Sequence, residues 1–432
     1  MINLVNKKNN KFLESFILVI FSYIAVLLFC LGSFHKLALA DTKKAKVSFW
    51  HTMNNEEVKT LNVILAEFAK AHPEIEVNAQ YIAFGEALNK YKIAAMAGDA
   101  PDVLRADIAW VSELAQIGVL QEMNKYITKD EQADYIETAF RYFNIQNKIW
   151  GVPQVTDTLA LLYNKDLFAK KKLSAPTTMD EFVASAKKLS DAKNNHYGFA
   201  LIPKGYFFLP HLWSYGGNLI DEQNRKVSLD SAASQAALQA FLDLVFVDKV
   251  SPEKLDFVNA YTNAMTGFKE GKYAMMFNGP WAVTEILSGS AFKNKQQLGI
   301  ALIPKGPKGE QGSPVGGHGY VLYRGSKQQD AAATFIAYIN STQQQVRFAK
   351  EQNLLPTRKS AYENLELSKN EILQGFKQQL LVARNRPLMP EGALIFRDLD
   401  ENLQAAFKKQ KTPAEAISST TKAWQKLIKQ KM

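Results

Sequence analysis

Residues 46–77 constrain the fold more than any other part of the chain. Lys46–Trp50 reads as a strand with apolar Val47 and Phe49. His51-Thr-Met-Asn-Asn55 follows as a polar loop. From Glu56 the apolar residues Val58, Leu61, Ile64, Leu65 and Phe68 recur at helical spacing, and Glu56 and Glu57 sit where a helix dipole favours acid. His72-Pro73 stops the helix, and Ile75-Glu-Val77 alternates as a second strand. Strand, helix and strand in this order form the unit of a parallel sheet with crossover helices, so the chain is expected to be α/β.

The segment before this unit reads as an export signal. Lys7, Lys8 and Lys11 make a basic start, Phe16–Leu31 is an almost unbroken apolar run, and Ala38-Leu-Ala40 fits a signal-peptidase site before Asp41. Residues 1–40 are therefore expected to be a signal peptide cleaved after Ala40, with an uncleaved anchor as the alternative. Cys30 is the only cysteine. Bulky Phe29 precedes it, where a lipoprotein signal needs a small residue. Cleavage would leave no cysteine, which excludes disulfides, thiolate zinc sites and thiol nucleophiles. A chain of 432 residues, 47% of them hydrophobic, builds its core without them.

Further along, Glu86–Ala97 reads as a helix closed by Gly98, and Pro101–Asp107 as a strand with polar groups at its carboxyl end. Asp107 suits two roles, the N-cap of the helix that follows and a carboxylate in the crevice outside the strand ends. Gly151–Lys165 then combines Gly and Pro punctuation, the polar run Thr156-Asp157-Thr158 and the apolar run Leu159–Tyr163. This is the expected first passage between two lobes, at Val155–Asp157, with Lys305–Glu310 and Pro356–Lys359 as later ones. The implied segments are 41–154 and 305–355 for lobe 1, and 155–304 and 356–432 for lobe 2. Thr178 and Glu181 form a capping box at a helix start. Gly205–Gly217 is dense in aromatics and places Tyr206 at a helix start, with Phe208, Leu209 and Leu212 as core. Gly271–Trp281 is a turn, a buried strand and a second turn that presents Trp281. Gly316-Gly-His-Gly is expected to open a strand at Tyr320.

Several chemistries are missing from the sequence. There is no P-loop, no G-x-S-x-G elbow and no H-E-x-x-H, and the six His are scattered. The glycines at 316–319 lack dinucleotide spacing. No cofactor and no metal are expected. The formal charge is +10, but the basic residues are spread along the chain, which argues against a nucleic-acid partner.

Aromatic and polar residues instead recur at strand ends and lobe crossings: Trp50, His51, Asp107, Trp110, Asp157, Tyr206, Trp281 and His318. This mixture suits a sugar. The C–H face of a pyranose stacks on a ring, and its hydroxyls donate to carboxylates.

The motifs Ala97-Gly-Asp-Ala-Pro-Asp102, Ala115-Gln-Ile-Gly-Val-Leu120, Leu162-Tyr-Asn-Lys165, Phe268-Lys-Glu-Gly-Lys-Tyr-Ala274 and Phe277-Asn-Gly-Pro-Trp281, in this order, carry a family resemblance. From about Lys46 to its end the chain resembles the substrate-binding proteins of carbohydrate ABC transporters, in the maltose, maltodextrin and arabinogalactan-oligomer group. The resemblance implies a type II periplasmic-binding-protein fold of two α/β lobes, mostly parallel sheets flanked by helices, and a ligand cleft that closes at a hinge. It implies no enzyme and a monomer that delivers an oligosaccharide to a membrane permease, in the periplasm. By position it assigns ligand contacts to Asp107, Asp157, Tyr206, Trp281, His318 and Phe396. Maltose binders usually carry Trp where this chain has Phe396, and the Lys they carry in the first polar loop has no match here. Two alternatives remain open: the same fold binding another polyol or a sugar phosphate, and a secreted glycan hydrolase using Asp107 and Asp157 as its carboxylate pair.

Overall fold

The computed structural model describes residues 44–430, so the predicted signal segment 1–40 and its cleavage after Ala40 lie outside the described residues. The opening unit forms as its pattern demands. Strand β1 (Ala45–His51) leads to helix α1 (Asn55–Ala71) and strand β2 (Ile75–Tyr81). Asn54 caps α1 by accepting from the N–H groups of Glu56 and Glu57, while the Glu57 carboxylate returns to the Asn54 N–H. The expected polar loop after Trp50 starts one residue late, because His51 still belongs to β1.

Helix α2 (Phe84–Ala97) ends at Gly98, whose φ of +81° is the left-handed cap that glycine adopts without cost. Strand β3 (Val103–Asp107) runs into α3 (Ile108–Gln116), and Asp107 caps it. Strands β4 (Val152–Thr158) and β5 (Ala160–Asn164) come next, separated by Leu159 alone. Helix α4 (Met179–Leu189) starts on the Thr178–Glu181 capping box. Strand β6 (Tyr197–Phe199), helices α5 (Gly205–Ser214), α6 (Ala232–Phe246) and α7 (Ala260–Lys269), and strands β7 (Tyr273–Asn278) and β8 (Leu298–Ala301) complete the middle of the chain. Strand β9 (Val315–Leu322), helix α8 (Thr342–Gln352), the short strand β10 (Leu355–Pro356) and helices α9 (Glu371–Leu380), α10 (Ile395–Phe407) and α11 (Pro413–Gln430) follow.

Two main sheets result. One has six strands in the order β10-β4-β9-β3-β1-β2, and the other has four in the order β8-β5-β7-β6. Both are mixed, which corrects the expectation of mostly parallel sheets. In the first, β1 runs parallel to β3, but β9 lies antiparallel to β3 and to β4. In the second, β5 is antiparallel to β7 and β8, and β7 is parallel to β6. The physical reason is the route of the chain: β4 keeps the direction of β1 and β3, but β9, on which the chain returns to the first sheet, runs against β3 on one side and β4 on the other, and β10 runs against β4.

The chain passes from the first sheet to the second at Leu159, later than the sequence suggests. Val155–Asp157 lies within β4, where Gly316 of β9 pairs with Asp157. The glycine-rich run 316–319 is likewise inside β9 and does not open a strand at Tyr320. Two of its glycines exist for close approach. A Cβ at Gly316 would collide with the Asp157 carboxylate, and one at Gly319 with the Phe143 ring and the Val152 carbonyl oxygen.

Cores lie on the faces of both sheets. Leu104, Ala106, Val111, Leu114, Tyr142 and Phe143 pack around the first. Phe182, Phe199, Phe208, Phe241, Phe277 and Trp424 pack on one face of the second. Each such ring contributes about 1.5–3 kcal/mol by its burial. Near the passages between the sheets the interior is polar and partly paired. The Pro153 carbonyl oxygen accepts from Thr357 Oγ1 at 2.7 Å and from Asn340 Nδ2 at 3.1 Å, and Gln345 Oε1 accepts the Thr357 N–H at 2.8 Å. Among the described residues no helix is long and apolar enough to cross a membrane.

Candidate functional site

Asp107 ends β3, and its Oδ1 accepts the Ala109 N–H at 2.7 Å, so it is the N-cap of α3. The same carboxylate faces Arg386, whose Nη2 donates to Oδ1 at 3.1 Å and lies 3.4 Å from Oδ2. One side chain therefore caps α3 and holds an ion pair. Arg386 is itself fixed. Its Nε donates to the Val315 carbonyl oxygen at 3.0 Å, and its own carbonyl oxygen accepts from Tyr142 Oη at 2.9 Å.

The register of β9 sets the rest. His318 pairs with Asp107 across one flank, and Gly316 pairs with Asp157 across the other. Side chains two apart on a strand share a face, so the two carboxylates flank one glycine-bearing strand. The missing Cβ at Gly316 leaves room for the Asp157 carboxylate and for the hydroxyl of Tyr206, which approaches Asp157 Oδ1 at 3.4 Å. Tyr206 stands in the first turn of α5, whose leading N–H at Gly205 is held by the Asp400 carboxylate. Its ring lies under the Arg386 guanidinium, 5.6 Å from it. The Tyr206 ring centre is 6.0 Å from that of Phe396 and 6.4 Å from that of Trp281. Trp281 is anchored by its indole N–H, which donates to Tyr261 Oη at 3.0 Å, and its carbonyl oxygen accepts from Asn54 Nδ2 at 3.2 Å. That last bond joins the start of α1 to the turn after β7.

The electrostatics follow from two carboxylates sharing one guanidinium. Burial pushes the Asp157 pKa up to about 7; Arg386 opposes the rise and Asp107 adds to it. Burial also raises the Tyr206 hydroxyl well above its ordinary range, with the Asp157 charge adding to the effect. Burial holds His51 down to about 4 and His318 well below its ordinary value, helped in both by Arg105, so these imidazoles are neutral at pH 7.

The structure thus gathers Asp107, Asp157, Tyr206, Trp281 and Phe396 around one centre. Four other sequence candidates lie to the side of it. Trp50 is half-buried against the core of the first sheet. His51 is 4% exposed, accepts the Met53 N–H through Nδ1, and touches Phe49 and Tyr81. Trp110 is 6% exposed and is covered by Phe84, their ring centres 5.1 Å apart. His318 sits edge-on to Phe84 at 5.9 Å. Trp110 is therefore a backing residue where the sequence suggested an open stacking ring, because every residue from Ile108 to Leu114 of α3 is buried.

Sequence reasoning missed Arg386. Its only signal is Arg384-Asn-Arg386-Pro387, directly before the interruption at Pro387-Leu-Met-Pro390.

Comparison with known proteins places the chain among its relatives. The maltotriose-binding protein of Pyrococcus abyssi (strain GE5 / Orsay) is 24% identical over 362 residues, which cover 83% of this chain and 76% of the relative. The maltodextrin-binding protein MdxE of Bacillus subtilis (strain 168) is 24% identical across 97% of this chain and 98% of its own. Among solved structures, the GacH receptor of Streptomyces glaucescens GLA.O, studied unliganded and in complex with acarbose, is 36% identical. It superposes with a TM-score of 0.85 over 89% of this chain and 99% of that one. The family model for bacterial extracellular solute-binding proteins matches residues 54–346, and the chain belongs to that family.

Proposed function

We propose that this protein captures a maltodextrin-like oligosaccharide outside the cytoplasm, closes around it at the junction of its two sheets, and delivers it to the permease of an ABC transporter. The observation that carries the reading is the meeting of Asp157, Tyr206, Arg386, Trp281 and Phe396 at one centre. Rings supply stacking faces, Asp157 accepts hydroxyl protons, and Arg386 holds Asp107 and Tyr206 in place. Relatives named for maltotriose and maltodextrin support the ligand class. In this reading one lobe is built on the six-stranded sheet and the other on the four-stranded sheet, the chain first passes between them at Leu159, and the sugar bridges them. Contact with both lobes favours the closed state by the ligand's differential affinity.

The protein is proposed to be a monomer, exported to the periplasm, with cleavage between Ala40 and Asp41. It is proposed to be a receptor and not a hydrolase, because Asp107 is engaged by Arg386 and by the Ala109 N–H and so is not free to serve as half of a carboxylate pair. Calorimetry on the chain from Asp41 onward, with maltotriose, maltotetraose, a galactooligosaccharide and a polyol, tests the reading. Saturable one-to-one binding of a maltodextrin with no products after prolonged incubation is the expected result. Heat only from the polyol, or release of shorter sugars, overturns it.

A further inference from the structure

Helix α2 starts one turn before its core begins. Ala87, Tyr91 and Ala95 on its inner face are buried, whereas Phe84, on the same face, is 51% exposed. The exposed ring is not loose. It lies over Trp110, tilted by 31°, and meets the His318 imidazole edge-on at 70°. Both supports adjoin the site already described. Trp110 stands in the first turn of the helix that Asp107 caps, and His318 pairs with Asp107 across β3 and β9. Beside it, nothing lies within 4 Å of where a Cβ on Gly85 would be, and Tyr81, 59% exposed, stands next to His51. A lone exposed Phe is ordinary on a protein surface. A ring fixed from behind by two others, with open space along its flank and a buried carboxylate–guanidinium pair next to its supports, is a prepared flat face.

We propose that Phe84 is an outer pyranose-stacking platform that sets the length of oligosaccharide the protein prefers. The proposal rests on the maltodextrin reading above. The inner rings Tyr206, Trp281 and Phe396 hold one part of the glucan. Phe84 carries a further sugar unit on the side of the first sheet. Its supporting imidazole is uncharged, so the platform brings no ionic demand and suits the C–H face of a neutral sugar. Phe has no polar edge and therefore selects for the presence of a ring, not for a hydroxyl pattern. Ligands too short to reach it gain nothing from it.

The test is a calorimetric series of maltose, maltotriose, maltotetraose and maltopentaose on the wild type and on Phe84→Leu. Leucine keeps an apolar cover on Trp110 and removes the ring, and thermal unfolding of both proteins checks that the fold is retained. In the wild type, affinity is expected to rise by about three- to tenfold at one step of the series. Phe84→Leu is expected to lose that step and to leave the shorter ligands within about twofold. A step that survives in Phe84→Leu, or an equal loss for every ligand, overturns the platform. A wild type that binds all lengths equally overturns it and leaves the receptor reading standing, whereas a wild type that binds none overturns both.

Discussion

Arg386 and Asp107 stand 279 residues apart in the chain and meet as a buried ion pair, with Arg386 Nη2 at 3.1 Å from one carboxylate oxygen and 3.4 Å from the other. Removing one partner of such a pair is costly because the other charge remains buried and unpaired. Arg386→Gln is expected to lower unfolding stability by about 3–5 kcal/mol in urea titrations. The double variant Asp107→Asn/Arg386→Gln is expected to recover most of that loss at pH 6, since Asn can still cap α3, the Asp107 charge is gone and buried Asp157, without Arg386, keeps its proton. Equal losses in the single and double variants would show that the pair is not the unit that matters.

Asp157 makes stability and binding depend on pH in opposite senses. Its pKa in the fold is about 7, well above the unfolded value near 3.8. Between those values the unfolded chain has released the proton and the folded chain has kept it, so stability falls as pH rises from about 4 to about 7 and is level above. Asp157→Asn is expected to unfold as the wild type does at pH 4 and to be the more stable of the two at pH 8, by up to roughly 4 kcal/mol. A sugar hydroxyl that donates to the carboxylate favours its charged form. Affinity for maltotriose is therefore expected to climb as pH rises toward 7 and to flatten beyond it, and a pH-independent Kd would remove Asp157 from the contact set.

Gly316 is where backbone space becomes chemistry. Any Cβ there meets the Asp157 carboxylate and comes within 2.7 Å of the Tyr206 hydroxyl. Gly316→Ala is expected to cost about 1–3 kcal/mol of stability through forced repacking. It is also expected to weaken sugar binding by at least about tenfold, because both polar groups must shift together. Calorimetry and urea unfolding on the same preparation separate the two effects.

Much of this could be read in the sequence, for local reasons. The Asn54 cap, the Thr178–Glu181 box, the Gly98 stop and the opening strand–helix–strand unit depend on residues within a few positions of one another. Arg386 could not be read, because its meaning comes from Asp107 and Tyr206, which a distant turn of the chain brings beside it. The first part of the strand at Val315–Leu322 was hidden because three of its residues are glycines, kept small by neighbours on β4 and by Phe143. The placement of Tyr206 at a helix start and of Trp281 in the turn after β7 was legible because each stands beside its own Gly or Pro punctuation.

His211 supplies a contrasting acid sensitivity. It is buried among Phe182, Phe199, Phe241 and Phe277, and burial lowers its pKa to about 3. Below the unfolded value of 6.5 the unfolded chain takes up a proton that the folded chain refuses. The contribution to stability present above that pH is lost as pH falls toward 3, by about 1.4 kcal/mol per unit. His211→Phe in the Asp157→Asn background, where the opposing carboxylate is silent, is expected to reduce the slope of stability between pH 6 and about 4 by about 1.4 kcal/mol per unit, leaving the slope that His51 and His318 contribute.

Trp281 joins the ligand centre to the packing that holds it. Its indole N–H is spent on Tyr261, so its ring face is the part left for a sugar. A Cβ at Gly279 would strike that ring, so the ring lies back against its own turn and cannot swing freely. Trp281→Ala removes the face, and stacking losses of this kind are about 0.5–1.5 kcal/mol beyond the buried area. A Kd about ten times weaker for maltotriose is expected from the two together. Tyr261→Phe keeps the face and removes only its anchor. It should weaken binding by a smaller factor, through freedom returned to the ring, while leaving the number of sites at one. If the anchor variant loses as much affinity as Trp281→Ala, then the position of the ring, and not its area, governs binding. Calorimetry on the two variants decides between them.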